Sequence, residues 1–180
     1  MADGGAVWTP SPEYSENSTL AAFLRAHRLD GYDALVRRAD GDPEWLWNAV
    51  IESAPIRFYT PHERVMDTSK GLPWTEWCTG GTTNIVLNCL DAHEDEDREA
   101  ISWEGEDGSR RSWSLGELKA ETSRLAEGLR SLGLGRGDRI ALFMPMVPET
   151  AAAFFAVAKI GAIAQPLFSG FGADAVASRL

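Results

Sequence analysis

The fold is decided by residues 138–171, which read DRIALFMPMVPETAAAFFAVAKIGAIAQPLFSGF. The first apolar run, residues 139–143, is short and has the composition of a buried parallel strand. Pro148 stands where the first turn of a helix tolerates proline, and this helix is expected to close at Gly161. A second apolar run, residues 162–168, follows. The stretch therefore predicts a strand-helix-strand unit with parallel strands and a right-handed crossover.

Residues 172–180 predict the first turns of another helix, where a sheet of this kind would need a third parallel strand later in the chain. The chain has 180 residues, which is enough for a complete small protein with its own core. Against that alternative, two parallel strands and a hairpin leave a small sheet with exposed edges. We therefore expect the chain to be the front part of a larger α/β protein.

A hairpin and a long helix are predicted before this unit. Residues 100–103 and 111–113 favour strands on either side of an acidic, glycine-containing turn. Ser114 and Glu117 have the spacing of a capping box, in which each side chain satisfies a free amide at the start of a helix. Six residues then recur at spacings of three and four and predict one buried helix face: Leu115, Leu118, Thr122, Leu125, Leu129 and Leu132.

The amino-terminal region is predicted to be a helical cover. Asn17 or Ser18 can cap one helix, and Asp42 can begin another. Residues 32–38 predict a short helix with Leu35 and Val36 facing inward. Four tryptophans are interpreted as packing residues of a core or between lobes, not as a ligand platform: Trp45, Trp47, Trp74 and Trp77.

The predicted fold class is α/β, with a helical amino-terminal cover followed by the first strands and helices of a larger, incomplete mixed or parallel sheet. We expect residues 1–15 to be a flexible start and residues 16–95 to form the helical region. Residues 96–180 are expected to begin an α/β domain that is truncated at Leu180. The acidic run within residues 91–99 is the predicted boundary.

The sequence resembles the adenylate-forming acyl-CoA synthetases, and among them the acetyl-CoA synthetase branch. The resemblance rests on short motifs that occur in the family's order: residues 8–11 (WTPS), 42–47 (DPEWLW), 77–81 (WCTGG), 84–91 (NIVLNCLD), 103–106 (WEGE), 133–138 (GLGRGD), 144–149 (MPMVPE) and 168–171 (FSGF). It covers the chain from about Trp8 onward. The resemblance implies that residues 16–95 are the branch's amino-terminal region and that residues 96–180 begin its AMP-binding domain.

In the full-length protein, the resemblance implies a two-step ligase reaction. A short-chain carboxylate attacks ATP to give an acyl-adenylate and pyrophosphate, and CoA then displaces AMP. The family's ATP, magnesium and catalytic-lysine motifs have no counterpart here, so no catalytic or metal-binding residue is assigned. We expect the fragment to be inactive alone and to bind ATP, magnesium and CoA weakly. Its expected partners are the remainder of its own chain and a small carboxylic acid that the sequence does not specify.

Phe168, Ser169 and Gly170 are the candidate cofactor contacts. They follow the second predicted strand, and ligands of open parallel sheets lie beyond the carboxyl ends of strands. In acetyl-CoA synthetases the similar Phe-Gly-Gly-Phe segment lies against the nucleotide part of CoA. Ser169 replaces a glycine of that pattern, so its side chain either narrows the approach of the nucleotide or adds a hydroxyl donor. The alternative is that Gly170 permits a turn and Phe168 packs in the core.

Two glycine-containing segments are interpreted as turns. Residues 79–84 look like a phosphate loop, but they lack a trailing Pro-Lys-Gly and no strand is predicted before them. Gly133, Gly135 and Gly137 precede a strand, whereas the glycines of a dinucleotide-binding fold follow one.

Composition excludes some partners and compartments. The net charge of −10 argues against binding to nucleic acid or to an anionic membrane surface. The sequence has neither a signal peptide nor a membrane span, so a cytoplasmic location is expected. A zinc site is not expected, because zinc usually takes four ligands and the sequence offers three: Cys78, Cys89 and His93. A disulfide between the two cysteines is not expected in a cytosolic enzyme.

A second function is kept open, that of a stand-alone, non-enzymatic module that binds a partner chain or CoA through residues 168–171. Such a module would be a soluble monomer that unfolds cooperatively. A severed front piece would instead expose apolar strand edges and aggregate.

Overall fold

The computed structural model describes residues 8–180, which form two compact units. The first unit consists of residues 8–56 and His62–Gly81, and the second of Arg57–Pro61 and Thr82–Leu180. The predicted fold class is confirmed, because helices come first and the strands and helices of small open sheets follow. Residues 1–7, which belong to the predicted flexible start, lie outside the described residues.

Four helices make up most of the first unit: α1 (Pro12–Asn17), α2 (Thr19–Ala26), α3 (Tyr32–Gly41) and α4 (Pro43–Ser53). At the start of α2, the Ser18 hydroxyl accepts a hydrogen bond from the Ala21 N–H at 3.1 Å. At the start of α4, the Asp42 carboxylate accepts one from the Trp45 N–H at 2.9 Å. Both helices therefore begin at caps that the sequence predicts.

A two-stranded antiparallel sheet completes the first unit. It pairs β1 (Arg64–Asp67) with β2 (Glu76–Thr79), and Met66 lies opposite Trp77. The sequence predicts only helices in this region. Strands of four residues are too short for the alternation of polar and apolar side chains to stand out in the sequence.

Some apolar residues of the first unit are far more exposed than predicted. Val36 is exposed on α3, and Trp74 and Trp77 are 71% and 51% exposed. Trp77 packs edge-to-face against Trp47, with 5.3 Å between ring centroids. The prediction that Val36 faces inward is wrong, and so is core packing for Trp74 and Trp77.

The second unit contains β3 (Glu99–Glu104), β4 (Arg110–Ser114), α5 (Leu115–Ser131), β5 (Arg139–Leu142), α6 (Pro148–Lys159), β6 (Ile163–Pro166) and α7 (Ala173–Ala177). Strands β3 and β4 form the predicted antiparallel hairpin. Strands β5 and β6 are parallel, with Arg139 opposite Ile163 and Leu142 opposite Pro166. The predicted strand-helix-strand unit and the helix after it are both confirmed.

Helix α5 packs against α6 in the core of the second unit. The capping box is formed, because the Ser114 hydroxyl accepts from the Glu117 N–H and the Glu117 carboxylate accepts from the Ser114 N–H. Buried residues form two clusters: Val86, Leu90, Leu115, Leu118 and Ala152 in one, and Ala126, Ala156 and Ile160 in the other. Alanines at the contact allow the two helix backbones to approach closely.

The predicted apolar face of α5 ends before Leu132, which is 77% exposed. Leu132 follows the last residue of α5, and the chain turns away at Gly133, whose φ is +84°. The turn is closed by the Asp138 carboxylate, which accepts a hydrogen bond from the Gly135 N–H at 2.7 Å. The interpretation of these glycines as a turn is therefore confirmed, whereas the inward prediction for Leu132 is wrong.

Among residues 8–180, no helix is both long and apolar enough to cross a bilayer.

The Thr122 hydroxyl of α5 gives a prediction about stability. Thr122 is fully buried, and its Oγ1 has no hydrogen-bond partner within the described residues. Because an unsatisfied buried hydroxyl costs about 1–3 kcal/mol, Thr122→Val should raise the free energy of unfolding by about 1 kcal/mol. Urea denaturation followed by far-ultraviolet circular dichroism measures this difference.

Thr150→Val is the matched control, because it makes the same chemical change at a hydroxyl that forms a hydrogen bond. The Thr150 hydroxyl donates to the Pro145 carbonyl at 2.6 Å. Its loss should lower the free energy of unfolding by about 1 kcal/mol. A destabilised Thr122→Val protein would mean that the Thr122 hydroxyl has a partner in solution.

Candidate functional site

The candidate site lies where β5 and β6 end. The Leu167 N–H donates to the Leu142 carbonyl at 3.0 Å, which extends the parallel pairing by one residue. Leu167 is buried, and the chain then leaves the sheet as residues 168–172. These residues, named here the Phe168 loop, occupy the carboxyl edge where open parallel sheets bind ligands.

Phe168 is 68% exposed, so the alternative in which it packs in the core is wrong. Its ring instead folds over the backbone of Gly170. A Cβ atom on Gly170 would lie 2.6 Å from Cε1 of Phe168, closer than such atoms approach one another. Gly170 is needed for this close approach, and any larger residue there would displace the ring.

The Phe168 loop presents an aromatic pair and a free hydroxyl. The rings of Phe168 and Phe171 pack edge-to-face, with 5.5 Å between centroids. A hydrogen bond from the Phe171 N–H to the Phe168 carbonyl, 3.0 Å long, closes the turn. Ser169 is exposed, and its hydroxyl has no hydrogen-bond partner among residues 8–180. The structure thus brings the three predicted site residues together in one exposed turn.

An apolar groove of about 470 Å³ lies beside the same edge. Trp103 of β3, Met146 and Phe154 line it on one side, and Leu142 and Leu167 line it at the strand ends. Met146 is 84% exposed. No local sequence motif indicates this groove, since its walls come from segments that are separated along the chain.

Two contacts fix the hairpin on the segment that links β5 to α6. The Trp103 indole Nε1 donates to the Met146 carbonyl at 2.7 Å. Arg111 of β4 forms a two-pronged hydrogen-bonded ion pair with Glu149, in the first turn of α6. The Arg111 guanidinium also lies 5.9 Å from the ring centroid of Trp103 and 5.7 Å from that of Trp113. The groove therefore has one wall that is held by polar and cation–π contacts.

This ion pair shifts the titration of its acidic member. Hydrogen bonding from Arg111 lowers the pKa of Glu149, with smaller contributions from the Glu149 backbone N–H and the nearby positive charge of Arg111. The same hydrogen bond raises the pKa of Arg111. Glu149 therefore stays ionised at neutral pH.

Residues 79–84, which resemble a phosphate loop, are preceded by strand β2, so the expectation that no strand comes before them is wrong. Two backbone amides of residues 79–84 already donate hydrogen bonds to carbonyls of their own units. The Gly81 N–H donates to the Cys78 carbonyl at 2.9 Å, and the Thr82 N–H donates to the Thr60 carbonyl at 2.9 Å. These bonds support the interpretation of the segment as a structural turn.

Cys78 and Cys89 are free thiols that belong to different units. Across the described part of the chain, residues 8–180, no group of three or more His, Cys, Asp or Glu side chains is placed to hold a metal ion.

Two family profiles match adjacent parts of the chain. Residues 32–89 match the profile described as acetyl-coenzyme A synthetase N-terminus, and residues 90–180 match the profile described as AMP-binding enzyme. The chain belongs to the AMP-binding enzyme family. The suspected family is confirmed, and within it the chain is similar to the amino-terminal part of acetyl-CoA synthetases.

Individual relatives are consistent with this family membership. An acetyl-coenzyme A synthetase of Thiobacillus denitrificans is 40% identical over 176 residues, which are 97% of this chain and 26% of the relative. One of Chlorobaculum tepidum is 34% identical over 175 residues, which are 95% and 25% of the two chains. The solved acetoacetyl-CoA synthetase from Streptomyces lividans matches 96% of this chain and 28% of its own, at 28% identity and a TM-score of 0.85. The chain thus spans about a quarter of the length of the curated relatives it matches.

The Arg111–Glu149 pair predicts a dependence of stability on pH. Because the pKa of Glu149 is lowered by folding, the pair stabilises the protein above the ordinary glutamate pKa of about 4.3 and is lost as the pH falls through the folded value. Glu149→Gln should therefore be modestly less stable than the unchanged protein at pH 7, and this difference in stability should become smaller at pH 3. Urea denaturation at both pH values measures the difference.

Glu127→Gln is the control for this experiment, since Glu127 lies exposed on α5 with no ion-pair partner in the part of the chain that the structure describes. Its effect on stability should be small at both pH values. An equal loss for Glu149→Gln at pH 7 and pH 3 would show that the ion pair is not the cause.

Proposed function

We propose that the chain is the amino-terminal portion of an ATP-dependent acyl-CoA synthetase, an acid-thiol ligase. The full-length enzyme would convert a short-chain carboxylate, ATP and CoA to acyl-CoA, AMP and pyrophosphate through an acyl-adenylate. The observation that carries the proposal is that two family profiles, acetyl-coenzyme A synthetase N-terminus and AMP-binding enzyme, match consecutive parts of one chain.

The described residues, 8–180, do not fit an ATP-magnesium site. Among residues 8–180 no cluster of metal-ligating side chains is formed. In the one segment that resembles a phosphate loop, the Gly81 and Thr82 amides already bond to carbonyls of the chain. We therefore place adenylation, with its ATP and magnesium, outside this chain, and we expect residues 1–180 alone to form no acyl-CoA.

The Phe168 loop fits the nucleotide part of CoA better. An adenine ring needs an exposed aromatic face on which to stack, and Phe168 offers one. Ser169 offers an unpaired hydroxyl, and Gly170 keeps the backbone free of a side chain that would displace the ring. When CoA is bound, its thiol supplies the nucleophile that displaces AMP. The proposed role of Phe168, Ser169 and Gly170 is to hold its nucleotide end.

We propose the remainder of its own polypeptide as the partner of this chain, in the cytoplasm. Strands β5 and β6 pair only with each other among residues 8–180, so each has a backbone edge that further strands could use. Apolar side chains beside these strands are exposed, including Ile163 at 52% and Phe143 at 48%. The relatives, which are about four times as long, have chain available to cover such a surface.

The reading frame after the Leu180 codon tests the proposal. We expect it to stay open and to encode a Thr/Ser/Gly-rich loop that ends in Pro-Lys-Gly. The polypeptide that it encodes should form acyl-CoA and AMP when a short-chain carboxylate, ATP, magnesium and CoA are all supplied. A stop codon directly after Leu180, together with a monomeric chain that unfolds cooperatively and binds no hydrophobic dye, would favour the stand-alone module instead.

Replacing Ser169 decides between the two effects that its side chain could have. Because its hydroxyl is unpaired, we propose that it donates to CoA, and Ser169→Gly should then raise the KM for CoA about threefold, as expected for a lost hydrogen bond of about 0.5–1.5 kcal/mol. Steady-state kinetics of the full-length polypeptide measure this value, with the KM for ATP as the internal control. A lower KM for CoA would indicate that the side chain obstructs the nucleotide.

A further inference from the structure

Arg179, which belongs to no local sequence motif, contacts the Phe168 loop from the segment that follows α7. Its guanidinium carbon lies 4.4 Å from the centroid of the Phe171 ring. This distance is within the range of a cation–π contact. Because Phe171 packs against Phe168, the charged side chain supports the exposed ring through one intermediate residue.

Arg179 is itself held in place at both its side chain and its backbone. One guanidinium nitrogen donates to the Ala175 carbonyl at 2.6 Å and to the Ser178 hydroxyl at 3.2 Å. The Arg179 carbonyl accepts from Nε2 of Gln165 at 2.6 Å. Gln165 belongs to β6, the strand that precedes the Phe168 loop. Arg179 therefore contacts this strand through its carbonyl and the Phe171 ring of the loop through its guanidinium.

These contacts connect the exposed turn to the strand before it and to the segment after it. Strand β6 supplies Gln165, the segment after α7 supplies Arg179, and the turn supplies the two phenylalanines. Without the guanidinium, the half-buried Phe171 ring loses its contact on the α7 side, and Phe168 then loses the surface against which it packs. The guanidinium is planar and can stack on a ring while it donates hydrogen bonds, which an ammonium group cannot reproduce.

We propose that Arg179 is a positioning residue, which holds the Phe168–Phe171 pair in the geometry that receives the nucleotide part of CoA. The part of this inference that concerns CoA rests on the proposed function. The part that concerns the loop stands on the contacts of Arg179 alone and can be tested without any ligand.

Hydrogen exchange in the full-length polypeptide, measured without CoA, tests the loop. The reporter is the amide of Phe171, whose bond to the Phe168 carbonyl closes the turn. Arg179→Ala should speed exchange of residues 168–172 about threefold or more, and Arg179→Lys should give an intermediate rate, because it keeps the charge but not the planar fork. Arg130→Ala, at an exposed arginine in the last turn of α5, is the matched control and should leave the loop unchanged. Unchanged exchange in Arg179→Ala would overturn the proposal.

Kinetics of the full-length polypeptide test the link to CoA. Arg179→Ala should raise the KM for CoA about threefold, the effect expected from a cation–π contact of about 0.5–1 kcal/mol, and Arg179→Lys should recover part of it. Carboxylate-dependent exchange of pyrophosphate into ATP, which requires no CoA, should stay within about twofold. A residue that merely stabilised the fold would lower both activities together.

Phe168→Ala separates failure of this inference from failure of the proposed function. Loss of a stacking ring should raise the KM for CoA about tenfold, since base stacking contributes about 1–3 kcal/mol. If Phe168→Ala raises this KM and Arg179→Ala does not, the positioning role is wrong and the CoA site stands. If neither variant changes it, the Phe168 loop is not the CoA contact.

Discussion

The parallel pairing of β5 with β6 is the constraint on which the second unit depends. Parallel neighbours cannot be joined by a tight turn, so the chain between Leu142 and Ile163 must cross the sheet and return. It does so as α6, whose buried face of Ala152 and Ala156 leaves room for α5 to pack closely. At the other end, the turn at Gly137 is joined to the end of α6 by its N–H, which donates to the Gly161 carbonyl at 3.1 Å.

The same pairing assembles the candidate site. Because both strands run in one direction, the segment after Leu142 and the segment after Pro166 emerge at one edge. Trp103 binds the backbone of the first segment at Met146, and Arg179 supports the second through Phe171. The groove and the Phe168 loop are thus two consequences of one topological requirement.

The sequence predicted the elements whose signals are local. The strand-helix-strand unit, the hairpin and the caps at Ser18, Asp42 and Ser114 each follow from short motifs and all occur. Apart from the missed strands β1 and β2, the errors concern burial, which depends on neighbours that a pattern does not specify. Leu132 has the right spacing but lies past the end of its helix. Phe168 and Gly170 were found by resemblance, whereas Arg179 and the groove arise only from tertiary contacts.

The central claim is that the Phe168 loop receives the nucleotide part of CoA, and attachment of a photoreactive CoA analogue tests it most directly. The analogue, with its reactive group on the adenine ring, would be irradiated with the full-length polypeptide, and the attached residues identified by mass spectrometry. The account predicts attachment within residues 168–171 that excess CoA suppresses. The claim would be contradicted if excess CoA suppressed the attachment equally well but all attached residues lay outside 168–171.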